Sequence, residues 1–228
     1  MTRMLAKLPK KLRYAIGRAA KGKHFHGAWH LYANLAPAEE HFIGQSKVFN
    51  EEDAVKLLKP EYRKGPSVRS IVDAIYNRIA GKGLSEVKKK QYLDMHQWMP
   101  GDILLKADKM TMAHSLELRV PLLDRVLMDV AEKVPTKYLI TDENTKFAFR
   151  KAASRHLPKA WYDREKLGFP VPVKDWLREE RFYKIVRKTF ESDDAAKFFD
   201  RDALLRMIDD NYAKTVSYTH LTLPTNRE

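Results

Sequence analysis

A chain of 228 residues that is 44% hydrophobic, with ten Phe and ten Tyr, is long and apolar enough to fold around a core, which excludes a disordered tail. It contains no cysteine, which excludes disulfides, thiolate metal ligands and a cysteine nucleophile and fits a reducing compartment. No apolar run is long enough to cross a membrane and no signal-type apolar core is present, so we predict a cytoplasmic protein.

The formal net charge of +13 is concentrated in residues 1–23, which contain eight basic residues and no acid: Arg3, Lys7, Lys10, Lys11, Arg13, Arg18, Lys21 and Lys23. A basic arm with interleaved Leu and Tyr is typical of nucleic-acid binding, and a stand-alone basic helical nucleic-acid-binding module is one hypothesis for the chain. A solvated helix face, or packing on an acidic part of a longer protein, explains the charge equally. We favour these because no binding motif accompanies the charge.

His24, His26 and His30 lie in an aromatic stretch, residues 24–36, that we predict to be a loop. Cysteines and carboxylates are absent from this stretch, so the histidines are more typical of polar surface than of a metal centre. We predict no metal ligands among them.

The elements that follow are predicted to be helices. Apolar residues recur at helical spacing from Val68 to Ile79, and Gly81 and Gly83 end that helix. Ser85 is placed to cap a helix that runs through Trp98, which Pro100-Gly101 ends.

Asp124 and Thr145 are each placed to cap a further helix. Pro135 ends the first of these two helices, and Pro158 ends the second. Later helices are predicted over residues 172–177, 181–190 and 200–212. No run of alternating strands and no internal repeat is visible, so the predicted fold class is mainly α.

The segment Asp102–Asp124 changes its hydrophobic period. Its first part has apolar residues at helical spacing, and after Ser115 apolar and charged residues alternate, which predicts a helix running into an extended segment that Pro121 helps to fix. A helix hairpin with surface charges explains this pattern without any function.

The same segment resembles the region that follows the nucleotide-binding core in glutamine-hydrolysing asparagine synthetases, whose pattern is close to D-[KR]-x-x-M-x-x-S-x-E-x-R-x-P-[FL]-L-D. The matching positions are Asp108, Lys109, Met112, Ser115, Glu117, Arg119, Pro121, Leu123 and Asp124. The resemblance covers residues from about 8 to about 212. It implies that the chain is the helical C-terminal portion of an α/β, adenine-nucleotide-hydrolase-like (PP-loop) synthetase domain.

Two lysines are the candidate phosphate-binding residues. Lys146 directly follows the predicted cap Thr145, so its ammonium adds to the positive end of a helix dipole. Lys166 lies in WYDREKLGFPVPVKDWL, a predicted turn between aromatic residues. Taken alone, each lysine is more typical of a surface residue than of a catalytic one.

The resemblance implies more specific roles for them. Lys146 with Arg150 matches a K-x-x-x-R helix start, and Arg164 with Lys166 matches the following R-x-K turn, both of which face the ATP phosphates in these synthetases. Lys166 is then the catalytic residue and, with Lys146, binds ATP and pyrophosphate. The implied supporting residues, which hold the cleft together through ion pairs, are Asp108, Glu117, Arg119 and Arg150.

The implied activity is a ligase reaction. Aspartate is activated by Mg-ATP as an aspartyl adenylate and then converted to asparagine by ammonia, which a glutaminase domain releases from glutamine. β-Lactam synthetases and other relatives adenylate different carboxylates with a similar C-terminal region, so the sequence does not decide which carboxylate is activated. It also leaves open whether ammonia or glutamine is used and whether the enzyme is a homodimer.

Several parts of the family pattern are missing. The chain has no Ser-Gly-Gly-x-Asp-Ser loop, no Gly-Gly pair, no Asp-Glu-Leu-Phe-Gly-Gly-Tyr motif and no nucleophilic cysteine. We therefore expect Met1 to be an internal methionine, the Mg²⁺ ligands to lie mainly outside the chain, and the fragment to be inactive alone.

The composition changes after Lys214. Residues 216–225 contain no charge and match the translation of a transposon-end adapter used in DNA sequencing libraries. We therefore expect residues 1–214 to be part of a synthetase domain, truncated at both ends, and residues 215–228 to be a non-native tail.

Overall fold

The structure is a computed structural model that describes residues 5, 8–23, 27–45, 47–141, 143–165 and 171–213. These residues are mainly helical, as predicted. The α-helices are α1 Lys10–Ala19, α2 Ala28–Leu35, α3 Ala38–His41, α4 Glu51–Lys56, α5 Val68–Asn77, α6 Glu86–His96, α7 Leu105–Met112, α8 Arg125–Ala131, α9 Thr136–Leu139, α10 Phe147–Ala153, α11 Lys159–Tyr162, α12 Val173–Trp176, α13 Glu180–Phe190, α14 Asp193–Phe198 and α15 Arg201–Tyr212.

The chain divides into two compact units, the first formed by residues 1–44 and 72–166 and the second by residues 45–71 and 167–228. Within the described ranges the only β-pairing is an isolated antiparallel bridge between Leu58 and Phe199, in the second unit. Short 3₁₀ turns cover Pro60–Tyr62 and Pro121–Leu123. That this helical part belongs to a larger α/β domain with a β-sheet stays a prediction.

Several predicted helix ends are confirmed by the capping geometry. The Ser85 hydroxyl accepts a hydrogen bond from the Lys88 N–H at 3.3 Å, and the Asp124 carboxylate accepts one from the Leu127 N–H at 3.0 Å. Gly81 and Gly83, which follow α5, have φ of 76° and 65°, a conformation that ends a helix at little cost only with glycine.

The prediction of a loop over residues 24–36 is wrong for its described part, because Ala28–Leu35 forms α2. This helix is stabilised by the close approach of α1. A Cβ on Gly17 would lie 2.5 Å from the Ala36 nitrogen, so only glycine lets the two backbones meet there. Tyr32 and Leu35 are buried at this contact.

Pro100 and Gly101 do not end the helical path as predicted. They lie in a π-helical turn, Met99–Leu104, that leads from the end of α6 into α7. Proline lacks an N–H and cannot continue the normal α-helical bonding, and the wider turn accommodates it. The Gly101 N–H donates to the Gln97 carbonyl at 3.0 Å and maintains the turn.

The first unit has its core around α5 and α6, where Val72 and Leu93 are fully buried. Two tyrosine hydroxyls close the edges of this core: Tyr32 donates to the Glu40 carbonyl at 3.1 Å, and Tyr76 donates to the Phe42 carbonyl at 3.2 Å. Such part-buried hydroxyls need partners, and a carbonyl within α3 and one directly after it supply them.

The second unit has a small core on α15, whose Leu204, Met207 and Ile208 are buried. Tyr183 of α13 stacks on Tyr212, with ring centroids 4.1 Å apart. Arg187 and Asp209 form an ion pair beside this stack.

Residues 103–161, which we call the uncovered segment, have no core. None of the described residues between Leu93 and Leu177 is buried. Eighteen large apolar side chains of the uncovered segment are exposed: Ile103, Leu105, Met110, Met112, Leu116, Leu118, Val120, Leu122, Leu123, Val126, Leu127, Val130, Tyr138, Ile140, Phe147, Phe149, Leu157 and Trp161.

Candidate functional site

The predicted phosphate-binding residues fall partly outside the described residues. Lys166, the predicted catalytic residue, lies outside them, while Arg164 is described and exposed. The preceding helix α11 presents Trp161 with 75% of its surface exposed. The role of Lys166 therefore stays a prediction.

Lys146 is exposed and occupies the N-cap position of α10, so the predicted cap at Thr145 is wrong. The Lys146 N–H donates to the Asn144 side-chain oxygen at 2.9 Å. Asn144 is held in turn because its own N–H donates to the Thr141 hydroxyl at 3.0 Å. Asn and Thr side chains both accept hydrogen bonds from the free N–H groups before a helix. Here the acceptors are Thr141 and Asn144, which precede Thr145 in the chain.

Arg150 lies one turn into α10, and its N–H donates to the Lys146 carbonyl at 2.9 Å. The helix backbone thus holds the two cations of the K-x-x-x-R pattern one turn apart, with Arg150 half-buried and Lys146 exposed. Binding of phosphate by this pair stays a prediction.

Glu117 and Arg119 form an ion pair with each other at 2.7 Å, and their predicted role in holding a cleft together stays a prediction. Their side chains are 70% and 82% exposed, so solvent weakens the attraction. Ser115 has a φ of 56° at the end of α7, and residues 116–120 after it have neither helical nor strand structure.

Asp108 is exposed on α7. Among the described residues, no hydrogen bond or ion pair joins Asp108 to Lys146, Arg150, Glu117 or Arg119. The nearby Asp102 does have partners: Lys106 at 2.9 Å and the Trp98 indole N–H at 3.1 Å. Its pKa is lowered, chiefly by the hydrogen bond from Lys106.

The structure therefore assembles the predicted site residues into two separate groups, Lys146 with Arg150 and Glu117 with Arg119. The supporting role predicted for Asp108 stays a prediction. A closed phosphate site needs several donors around one anion. The described residues supply only part of such a site.

A polar cluster around Glu86 was not predicted. One carboxylate oxygen of Glu86 accepts the Tyr14 hydroxyl at 2.5 Å, and the other accepts the Ala38 N–H at 2.5 Å. Lys89 lies 3.2 Å from Glu86 and also pairs with Glu39. The cluster thereby joins α1, α3 and α6.

The electrostatics of this cluster follow from its burial and its partners. Burial alone would raise the pKa of Glu86, but the hydrogen bonds from Tyr14 and Ala38 and the charge of Lys89 outweigh it and lower that pKa. Burial and the Glu86 carboxylate raise the pKa of the Tyr14 hydroxyl. We assign the cluster a structural role, because each of its strong donors is used within the protein. No local sequence pattern could have revealed it, since its members are separated by up to 72 residues.

Part of the N-terminal basic charge is neutralised within the protein. Arg18 donates to the Glu40 carboxylate from its Nε at 2.8 Å, and an ion pair joins the same two groups. Lys10, Lys11, Lys21 and Lys23 are exposed. Nucleic-acid binding by this arm stays a hypothesis.

The described residues contain neither a metal-binding group of side chains nor a membrane-spanning helix. Within them, no group of three or more His, Cys, Asp or Glu side chains is arranged to hold a metal ion, and His24 and His26 lie outside them. In the same part of the chain, no helix is long and apolar enough to cross a membrane.

The mainly helical architecture is consistent with what the chain resembles as a whole. The profile of the asparagine synthase family matches residues 2–224, and the chain belongs to this family. The match extends beyond Lys214, into residues that the composition set apart. The origin of that tail stays a prediction.

Its relatives are named as glutamine-hydrolysing asparagine synthetases. The chain is 41% identical over 183 residues to asparagine synthetase [glutamine-hydrolyzing] 1 of Bacillus subtilis (strain 168), a match covering 80% of this chain and 28% of that protein. It is 35% identical over 206 residues to a provisionally named asparagine synthetase [glutamine-hydrolyzing] of Mycobacterium tuberculosis (strain ATCC 25618 / H37Rv), covering 90% of this chain and 31% of that one. The chain thus spans less than a third of the length of these curated relatives. No solved structure is detectably similar to it.

Proposed function

We propose that this chain is the C-terminal part of a synthetase that converts aspartate to asparagine at the expense of ATP. The observation that supports this most is the family match, which covers residues 2–224, together with 41% identity over 80% of the chain to a relative named as a glutamine-hydrolysing asparagine synthetase. In this proposal ammonia comes from glutamine through a domain outside the chain, and the chain alone is inactive.

The proposed chemistry has two steps. An oxygen of the aspartate side-chain carboxylate attacks the α-phosphorus of ATP, the bond to the bridging β-phosphate oxygen breaks, and pyrophosphate leaves. The nitrogen of ammonia then attacks the activated carbonyl carbon, loses a proton, and AMP leaves with the bonding electrons. Negative charge grows on pyrophosphate in the first step, so a fixed cation there stabilises the transition state more than the ground state.

The chain's own cations suit this task. Lys146 is exposed and held one turn from Arg150, and we propose that it binds the β- and γ-phosphates. Lys166 is proposed to contact the leaving pyrophosphate. The described carboxylates form no group of three suited to a cation, so we propose that Mg²⁺ is held mainly by residues outside the chain.

The test is a completed enzyme in which this chain replaces the matching 183 residues of the Bacillus subtilis relative. Lys166→Ala is expected to lower aspartate-dependent pyrophosphate release by about 10²–10³-fold, because one transition-state donor is lost. Lys146→Ala is expected to raise the KM for ATP by about tenfold, because it removes a charge-assisted contact to the bound phosphates.

Lys151→Ala is the matched control, since Lys151 is an exposed lysine on the same helix α10 that the proposal does not use. It should change both parameters by no more than about twofold. Glutamine hydrolysis reports whether each variant is folded. Normal pyrophosphate release by Lys166→Ala in an enzyme that hydrolyses glutamine would refute the proposal.

A further inference from the structure

Positive charge is concentrated around α1, and the acids near it in the chain do not balance it. Residues 1–50 contain only two acids, and both are already paired, Glu40 with Arg18 and Glu39 with Lys89. Four lysines of this region are exposed: Lys10, Lys11, Lys21 and Lys23. Clustered like charges repel one another, and a polyanion that binds them removes this repulsion.

An exposed tryptophan lies beside this charge. Trp29, in the first turn of α2, is 58% exposed, and its ring meets the Tyr32 ring edge-on, with centroids 5.7 Å apart. The Lys21 ammonium lies 5.9 Å from the centroid of the same Tyr32 ring. One tyrosine thus brings an exposed indole and an exposed cation to the same place.

Tyr32 is a fixed support for both groups. It is buried, and its hydroxyl donates to the Glu40 carbonyl at 3.1 Å. The turn that follows α1 is held by its own backbone, where the Lys21 N–H donates to the Arg18 carbonyl at 3.0 Å. Groups that are held in place before binding lose less conformational entropy when a ligand binds, so this arrangement favours recognition.

We propose that Lys21, Lys23 and Trp29 form a binding face for single-stranded nucleic acid. Proteins bind single strands through cations that contact the phosphates and through aromatic rings on which unpaired bases stack. The sequence shows the cations but not the ring beside them, because residues 24–36 were predicted to be a loop. The face does not depend on the proposed function.

Two other anionic partners fit this face less well. A duplex keeps its bases paired and stacked on one another, so it offers no free base to the Trp29 ring. A membrane surface needs a broad apolar face on the helix that lies on it. In α1 the side that carries Gly17 packs on α2, and among the described residues of α1 the one exposed large apolar side chain is Leu12.

The test is fluorescence anisotropy of a labelled strand of about twelve thymidines with the full 228-residue chain. We expect a dissociation constant on the order of 10 µM near physiological salt, which rises with salt concentration. A strand of uridines should bind equally, because neither the lysines nor the indole distinguishes the sugar.

The two kinds of contact are separated by substitution. Lys21→Gln with Lys23→Gln should reduce the slope of log affinity against log salt by about 1.4, since each phosphate contact on a single strand contributes about 0.7. Trp29→Ala should weaken binding by about 5- to 100-fold without changing that slope, because it removes a stacking ring and no charge. Trp29→Phe keeps a ring and should restore most of the affinity.

Matched controls remove the same groups elsewhere. Trp161→Ala removes a tryptophan of α11 that is 75% exposed, and Lys64→Gln with Lys188→Gln removes two exposed lysines of the second unit. Each control should change the affinity by less than about threefold, because charges far from the strand are screened by salt. Circular dichroism reports whether each variant is folded, and Trp29→Leu replaces Trp29→Ala if the latter is not.

No binding at low salt would overturn the proposal, as would equal losses of affinity in the Trp29 and Trp161 variants. A duplex of the same length that binds as tightly as the strand would also overturn it. Vesicles of anionic phospholipid that bind the chain more tightly than the strand, and lose it on Leu12→Ser, would identify a membrane surface instead. If the chain precipitates alone, the same variants are compared in the completed enzyme. The assay contains neither ATP nor aspartate, so its outcome is independent of asparagine synthesis.

Discussion

Ser115 ends helix α7 with its backbone in the left-handed region, at φ 56°. The Leu116 N–H donates to the Thr111 carbonyl at 3.0 Å and the Ser115 N–H to the Met112 carbonyl at 3.0 Å, which is the Schellman pattern in which glycine is usual. A non-glycine residue in this conformation costs about 1–2 kcal/mol, whereas glycine adds about 0.4–1 kcal/mol of unfolded-state entropy cost.

We therefore expect Ser115→Gly to raise the free energy of unfolding by about 0.5–1 kcal/mol, because relief of strain exceeds the added entropy cost. Urea unfolding followed by circular dichroism measures the change. Ser154→Gly is the control, since Ser154 has a negative φ of −61° and should be destabilised by the same replacement. Equal effects at both positions would contradict the argument.

His41 makes stability depend on pH through its burial. Desolvation first, and then the charge of Lys90, lower the pKa of His41 below its ordinary 6.5, against weaker raising effects of Glu86 and Glu40. The unfolded chain binds a proton at His41 as pH falls below 6.5, whereas the folded chain does not until a lower pH. The folded state is thus destabilised in the interval between these two pKa values.

We expect the free energy of unfolding to fall as the pH drops below 6.5, by at most about 1.4 kcal/mol per pH unit, which is the limiting slope for one proton. Glu86 does not contribute there, because its lowered pKa places its own loss of stability below 4.5. His41→Phe, which keeps a ring against Tyr32, should remove the slope. Unfolding curves at pH 7.5 and 5.5 measure it, and an unchanged slope in the variant would assign the titration elsewhere.

At the scale of the element, the packing of α1 on α2 depends on one small residue. A Cβ at Gly17 would meet the Ala36 nitrogen at 2.5 Å and the Leu35 carbonyl carbon at 2.9 Å. Both are backbone atoms, so neither can move aside without displacing α2. Alanine would favour the helix by about 1 kcal/mol, but overpacking costs about 1–3 kcal/mol and should exceed that gain.

Gly17→Ala is therefore expected to lower the thermal midpoint. Gly101→Ala tests the same replacement in a helical turn where no atom lies within 4 Å of the added carbon, and it should be neutral or stabilising. Differential scanning calorimetry compares the two variants. A Gly17→Ala protein as stable as the parent would show that the two helices can separate at little cost.

The same elements show what sequence reasoning can and cannot find. Caps such as Ser85 and Asp124 were predicted because their chemistry acts over three residues. Helix α2 was missed because its aromatic sequence becomes helical only when Gly17 of another element packs on it. The start of α10 was predicted one residue too early. The Asn144 side chain accepts a hydrogen bond from the Lys146 N–H, and the helix begins after Lys146 and not after Thr145.

Only part of the candidate site could be predicted, because sequence spacing reports contacts between residues that are close along the chain. The cations of K-x-x-x-R are adjacent on one helix, so local spacing places Lys146 beside Arg150. A phosphate also needs donors from parts of a protein that are distant in sequence, and spacing along one helix does not predict these.

At the scale of the whole molecule, the core and the uncovered segment should differ in local stability. Amide exchange requires opening of backbone hydrogen bonds, and opening is easiest where few apolar side chains are buried. Leu93 on α6 is fully buried, whereas none of the described residues between it and Leu177 is. Helices α7 to α11 therefore lack the packing that holds α6 closed.

In the isolated chain we expect amides of residues 105–162 to exchange at least about tenfold faster than those of α6. The α6 amides should be protected close to the global stability of the first unit, since opening them exposes Val72 and Leu93. Hydrogen–deuterium exchange with peptide-level mass spectrometry distinguishes the two regions. Equal protection across both would mean that the short helices hold themselves without a covering surface, and the exposed apolar side chains would then need another explanation than an absent partner.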